Sequence, residues 1–345
     1  MIRAEDMDAC RKAIRHGSLS FYSASKLLPV RVRDPALVLY AFCRMADDAV
    51  DLQQAKIDAV LRLRDRLDLV YAGRPLDAPS DRAFATVVET FDMPRALPDA
   101  LLEGFAWDAE GRRYQTLSDL RSYSARVASS VGAMMTVLMG VRDSNAMARA
   151  CDLGVAMQLT NIARDIGEDA CEKRLYVPLD WMVEVGLEPD SFVRDPCDSR
   201  AIRLMVQRLI SEANRLYYRS EAGVPALPQG ARPGVFAARF IYAGIGSQLA
   251  RLNYNSVNHR AHTTKFQKIG WLMQSFLYAL LTSVMPRSAV IYAPPLKEVQ
   301  FLVDAASSES VQTRSDSLMN ILAQLEMRRR ADREALINHD LRVMS

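Results

Sequence analysis

The chain has 345 residues, half of them hydrophobic and a quarter charged, which excludes a disordered chain and supplies material for a sizeable core. Its 44 Lys and Arg against 41 Asp and Glu leave a net charge of +3, too even a balance for a general nucleic-acid footprint. Five cysteines without a CxxC spacing, and four histidines without an HxxxH pair, exclude a zinc framework or a disulfide scaffold.

The N-terminal stretch MIRAEDMDACRKAIRHG is charged and lacks the apolar centre of a signal peptide, which points to a reducing cytoplasm. Apolar residues then recur at helical spacing in ALVLYAFCRMADDAV, DAVLRLRDRLDLVYAG and AIRLMVQRLISEANRLYYR, whereas strand-like alternation is nearly absent. The fold class is therefore all-α. Pro and Gly clusters at 72–81, 91–99, 186–199, 223–234 and 285–296 punctuate the chain into elements of ordinary helix length without a linker. One helical domain over 1–290 is the simplest organisation, followed by a C-terminal helical extension over 291–345.

Two acidic stretches stand out. In the first helical run Tyr40, Arg44, Asp47, Asp48 and Asp51 fall on one face, and the flanking positions are mostly apolar. In QLTNIARDIGED, Gln158, Asn161, Asp165 and Asp169 align in the same way, with Arg164 beside them. An isolated DxxxD on a helix is more often a solvated acidic face. Two matched clusters, each in an apolar helix and each beside an arginine, point instead to an internal site. Carboxylates crowded in a poorly solvated place need cations to neutralise them, and ligands that are all oxygen suit a hard ion. Magnesium bridging carboxylates to a substrate phosphate fits, while the EF-hand spacing is missing. Gly167 costs a helix about 1 kcal/mol relative to Ala, which implies that something approaches the backbone closely there.

The run IGWLMQSFLYALLTSVM (269–285) holds Gln274, Ser275, Thr282 and Ser283 and is shorter than a spanning helix requires. It is expected to be a buried core helix, with membrane-surface contact as the other reading. The tail TRSDSLMNILAQLEMRRRADREALINHDL reads as a basic amphipathic helix with a stripe of Leu318, Ile321, Leu322 and Leu325.

GSLSFYSASKLLP (17–29), LYAFCRMADDAVD (39–51), RYQTLSDLRSYSARVASSVG (113–132) and QLTNIARDIGEDACEKRLYVP (158–178) resemble, in order and spacing, the head-to-head prenyl synthases of the squalene–phytoene synthase family, the bacterial phytoene-forming branch in particular. The resemblance implies a single-domain isoprenoid-synthase-like helical bundle around a deep apolar cavity. Asp47, Asp48, Asp51, Asp165 and Asp169 match the family's metal-binding positions. Tyr40, Arg44, Arg164, Asn161 and Gln158 match its catalytic positions, and Ser18, Ser20, Phe21, Tyr123, Tyr242 and Lys265 its substrate-binding ones. Phe42 joins Phe21, Tyr40, Tyr123 and Tyr242 as a candidate cavity aromatic. His262 and Lys265 stand where the family has an arginine-rich segment, and Ile245-Gly246 departs from its usual Ile-Leu.

The implied reaction is a magnesium-dependent 1′–1 condensation of two geranylgeranyl diphosphates to phytoene, a prenyltransferase step that opens carotenoid biosynthesis, with Mn2+ able to substitute. No NADPH is expected, in keeping with the missing GxGxxG. A dehydrosqualene or squalene synthase acting on farnesyl diphosphate is the alternative, ahead of another diphosphate-ionising enzyme and of a non-catalytic helical homologue. The implied partners are a prenyl diphosphate, downstream carotenoid enzymes and no nucleic acid. A lipid product implies a cytoplasmic protein in peripheral contact with the inner membrane face.

Overall fold

A computed structural model describes residues 2–17, 25–51, 56–284 and 288–308, without the side chains of 15–17, 46–51, 56, 265 and 308. Ser18, Ser20 and Phe21 lie outside the described residues, as does the amphipathic stretch beyond Ser308. The described residues are helical and include no strand. The first compact unit runs from Met1 to Ala306.

Helix α1 (Ala4–Gly17) and helix α2 (Val30–Asp51) pack together and against α4 (Pro79–Phe91), while α3 (Lys56–Tyr71) joins α2 to α5 (Ala96–Ala109). Pro79 sits in the first turn of α4, where its missing N–H costs nothing, and Asp92 closes that helix in a left-handed conformation. Asp81 on α4 is fully buried and is held by the Arg66 guanidinium of α3 at 2.8 and 3.0 Å. Such a pair survives burial because both oxygens are bonded.

Helix α6 (Leu117–Ser124) starts from a reciprocal cap between Thr116 and Asp119 and runs through a π turn at Ala125–Ser129 into α7 (Ser130–Leu138). The longest helix, α8 (Ser144–Cys171), is capped by Asp143, whose carboxylate accepts the Ala146 N–H at 2.8 Å. Its 28 residues span about 42 Å at the usual rise. A Cβ at Gly154 would stand 2.6 Å from Ser129 Cα, so only glycine lets α8 lie this close to the π turn.

Two short helices, α9 (Leu179–Glu184) and α10 (Pro189–Arg194), lead to α11 (Arg200–Glu221), which packs along α8 and buries its Leu209, Ala213 and Leu216 face. Helix α12 (Arg232–Arg251) lies against α8 and α11, and its Gly246 faces Ile210 of α11, which would stand 3.1 Å from an added Cβ. Helix α13 (Lys265–Val284) packs along α12. The segment before α14 (Gln300–Ser308) is strapped to the body. Arg149, fully buried on α8, donates to the Val290 carbonyl at 3.0 Å and pairs with Asp152 at 3.1 Å, while Arg219 reaches Asp152 and the Pro294 carbonyl.

The expectation that 269–285 is a buried core helix is corrected here. Ser275 and Ala279 of α13 are buried, but Phe266, Ile269, Met273, Leu277, Leu280 and Val284 are exposed. An apolar run without charges satisfies either environment, so composition did not separate them. Phe42 also differs from expectation: it is fully buried and stacked on Phe84 at 4.2 Å, a core contact rather than cavity lining.

Candidate active site

The polar face of α8 opens on a cavity of about 370 Å³. Gln158, Asn161, Asp165 and Asp169 line it from α8, Tyr40 and Arg44 from α2, and Tyr123 from α6. Its walls also include Leu101, Phe105, Val127, Val131 and Ile162, so apolar side chains share the cavity with the polar set. Asp47, Asp48 and Asp51 occupy the end of α2, where helical spacing continues the face of Tyr40 and Arg44; their side chains lie outside the described residues. Lys265 opens α13, and its side chain is likewise outside the description.

The two α8 carboxylates have different surroundings. Asp165 receives the Arg164 guanidinium on both oxygens, Nε at 2.8 Å, and is also met by Arg260 Nε at 2.9 Å. Asp169 is driven the other way: burial first, then the neighbouring Asp165 carboxylate, push it up to about 8, against the pull of Arg174. A carboxyl with so high a proton affinity marks a spot where added positive charge is strongly favoured. Among the described residues no group of three or more His, Cys, Asp and Glu could hold a metal ion. Asp165 and Asp169 present oxygen donors only, the kind of ligand a hard cation takes.

Tyr242 on α12 completes this side. It is half-buried, lies within hydrogen-bonding reach of Asn161, and burial raises its hydroxyl above the ordinary tyrosine value. Asn161 in turn lies 3.5 Å from Gln158 Oε1. The structure thus brings Tyr40, Arg44, Tyr123, Gln158, Asn161, Arg164, Asp165, Asp169 and Tyr242 to one region. Gly167 has a specific reason to be glycine: its amide donates to the Ser256 carbonyl, and a Cβ would sit 2.3 Å from the Val257 carbonyl oxygen. The close approach expected from sequence is therefore made by the loop after α12.

That loop carries a residue the sequence reasoning passed over. Arg260 joins Asp165 and also Glu168, at 2.9 Å from each. Arg260 thereby places a cation beside Asp165 from the segment that also holds His262, and both residues are exposed. A second omission is Asp108 of α5, a cavity carboxylate that accepts the Tyr123 and Tyr176 hydroxyls at 2.8 Å each. Tyr123 and Tyr176 stack at 5.2 Å, with Tyr114 5.1 Å from Tyr123, and burial holds all three hydroxyls in the neutral form. The only sequence signal for Asp108 is that it is one of two charges, with Glu103, in the otherwise apolar run ALLEGFAWDA.

An all-α chain whose paired aspartates line one cavity with apolar side chains, with arginines beside them, has the architecture of an isoprenoid-type synthase. The solved dehydrosqualene synthase in complex with a ligand superposes with a TM-score of 0.74 at 29% identity, over 80% of this chain and 97% of that one. A squalene synthase from Alicyclobacillus acidocaldarius shares the fold, with a TM-score of 0.68 at 24% identity over 73% and 95% of the two chains. The squalene/phytoene synthase family model matches residues 14–267, and the chain belongs to that family. It is 56% identical to the phytoene synthase of Rhodobacter capsulatus over 96% of this chain and 98% of that protein. It is 35% identical to the 15-cis-phytoene synthase of Pantoea ananas over 81% and 95%.

Proposed function

We propose that this chain is a phytoene synthase, a prenyltransferase that joins two geranylgeranyl diphosphates 1′–1 through a cyclopropylcarbinyl diphosphate. The phytoene synthases at 56% identity over nearly its full length support the substrate and product. The observation that carries the chemistry is the meeting of Asp165, Asp169 and their arginines with apolar and aromatic side chains around one cavity.

Arg164 and Arg260 bind the substrate's diphosphate and stabilise its growing charge as the allylic C–O bond ionises. Tyr40 and Arg44 orient the same group from the α2 side. The Asp165 and Asp169 carboxylates, with Asp47, Asp48 and Asp51, hold Mg2+, or Mn2+ in its place. Bound there, the ion supplies electrophilic stabilisation of the leaving diphosphate. Leu101, Phe105, Val127, Val131 and Ile162 keep water from the carbocation, and the faces of Tyr123 and Tyr176 favour positive charge beside them. Asp108 positions those two tyrosines by holding their hydroxyls. Ser18, Ser20, Phe21 and Lys265 complete substrate binding, with Gln158, Asn161 and Tyr242 as the polar wall. The reaction ends in proton loss, without NADPH.

The forty-carbon product is insoluble in water, so the chain works in the cytoplasm in peripheral contact with the inner membrane face, where downstream carotenoid enzymes receive it. No helix among the described residues is long and apolar enough to cross a membrane. Asp165→Asn tests the metal role. The variant should keep its helical circular dichroism and lose turnover by at least about a hundredfold, since a ligand rather than a packing group is removed. Wild-type turnover by the variant at low magnesium would overturn that role.

A further inference from the structure

We propose that the outward face of α13 is the surface by which the protein lies on an anionic lipid bilayer, an inference that rests on the peripheral contact proposed above and names its location. Phe266, Ile269, Met273, Leu277, Leu280 and Val284 recur three, four or seven residues apart and so share one face. They are solvent-exposed, Phe266 by 88%, Met273 by 72% and Val284 by 81%. Monomeric soluble proteins seldom leave so many large apolar side chains on one helix face in water.

The opposite face is firmly seated, so the exposure does not come from a helix standing off the body. Ser275 and Ala279 are buried against the rest of the protein. Tyr278 meets Phe236 and Phe240 of α12 edge-on, at 5.7 and 5.0 Å. Trp271 lies so close to Gly244 of α12 that a Cβ there would fall 2.1 Å from the indole. The helix is thus a fixed ridge with its apolar side outward.

Charge decides what covers that ridge. From Ala222 to Lys297 the chain has no Asp or Glu and eight Lys and Arg, although the whole chain is almost balanced at 44 against 41; everything outside this segment is net acidic. Within it, Lys265 and Lys268 lie at one end of α13, and Arg232, which donates to Ser283 Oγ at 3.2 Å, stands at the other. An apolar helix face flanked by cations at both ends matches a bilayer surface with anionic headgroups, the helix lying in the plane of the interface. A second copy of the chain fits less well: two such faces laid together, parallel or antiparallel, would bring cationic ends against cationic ends. Phe276 and Leu281, also exposed, broaden the face beyond the narrow seam of a helix pair. Insertion across the bilayer is not the fit for α13, because no helix among the described residues is long and apolar enough to span one.

The placement suits the chemistry. Helix α12, on which α13 rests, carries Tyr242 beside Asn161 and Arg164. The lipid surface would therefore stand one helix away from the site that makes the hydrocarbon.

The test is co-sedimentation of the full-length protein with vesicles of phosphatidylcholine, with and without phosphatidylglycerol, beside the double variant Met273→Ser/Leu280→Ser. Wild type should pellet with the anionic vesicles and be released by high salt. The variant should lose about tenfold or more of that binding, because two large apolar contacts disappear. Turnover on detergent-dispersed substrate and the molecular mass in solution are measured on both proteins. Retained turnover shows that the variant is folded; absent turnover in wild type would report failure of the proposed reaction, independently of vesicle binding. The surface assignment is overturned if wild type stays in the supernatant with both vesicle types, if the variant binds as wild type does, or if wild type is a dimer that the variant splits into monomers.

Discussion

Asp169→Asn exposes the electrostatic cost of a site built for a cation. In the metal-free protein burial and Asp165 raise the Asp169 carboxyl from an ordinary 3.8 to about 8. A raised carboxyl disfavours the ionised form in the folded state, so its effect on stability is nil below about pH 4. It grows as pH rises from about 4 to about 8 and is constant above that. Near pH 7 the full shift corresponds to roughly 4 kcal/mol, and partial hydration of this half-buried group reduces it to about 2–3 kcal/mol. Asparagine is neutral and nearly isosteric, so the metal-free variant escapes the penalty. At about 2–4 °C per kcal/mol for a protein of this size, it should melt about 5–10 °C above wild type near pH 7 in chelator. The gap should close near pH 4, and magnesium should stabilise wild type more than the variant. Differential scanning calorimetry across that pH range decides it. Equal melting temperatures at every pH, or a gap that widens towards acid, would refute the reasoning.

Other substitutions probe the supports of the site. Gly167→Ala gains about 1 kcal/mol of helix propensity but must displace the Val257 carbonyl, costing about 1–3 kcal/mol, and it should also raise the substrate KM because Arg260 is carried on the same loop. Denaturant unfolding and steady-state kinetics read the two effects. Arg260→Ala should raise the diphosphate KM by about tenfold, through loss of a charge-assisted contact, while His262→Ala leaves it unchanged. Arg149→Ala strands the buried Asp152 with Arg219 as its remaining pair and frees the Val290 carbonyl; urea unfolding should register a loss of about 3–5 kcal/mol with substrate KM unaltered.

The polar face of α8 was legible in the sequence because carboxylates and amides at helical spacing within an apolar helix are costly to bury unless a cation or a polar ligand meets them. Tyr40 and Arg44 were legible by the same periodicity. Arg260 was not, because it stands in an irregular loop whose position is set by the Gly167 contact, and no local pattern encodes that crossing. Asp108 escaped because a single carboxylate carries no period; its meaning lies in Tyr123 and Tyr176, which reach it from two distant segments. Helix α13 was misassigned for a different reason: the Phe266–Val284 pattern is the same whether its apolar face meets protein or lipid. Phe42 shows the converse. Its aromatic ring made it a candidate for the cavity lining, yet it lies two positions from Tyr40, on a different side of α2, and it stacks on Phe84 instead.

The central claim is tested most directly by incubating the purified protein with geranylgeranyl diphosphate and magnesium, without nicotinamide, in parallel with farnesyl diphosphate, and identifying the hydrocarbon by mass spectrometry. The account predicts a forty-carbon phytoene from geranylgeranyl diphosphate. A thirty-carbon product formed in preference from farnesyl diphosphate, or no hydrocarbon until NADPH is added, would contradict it.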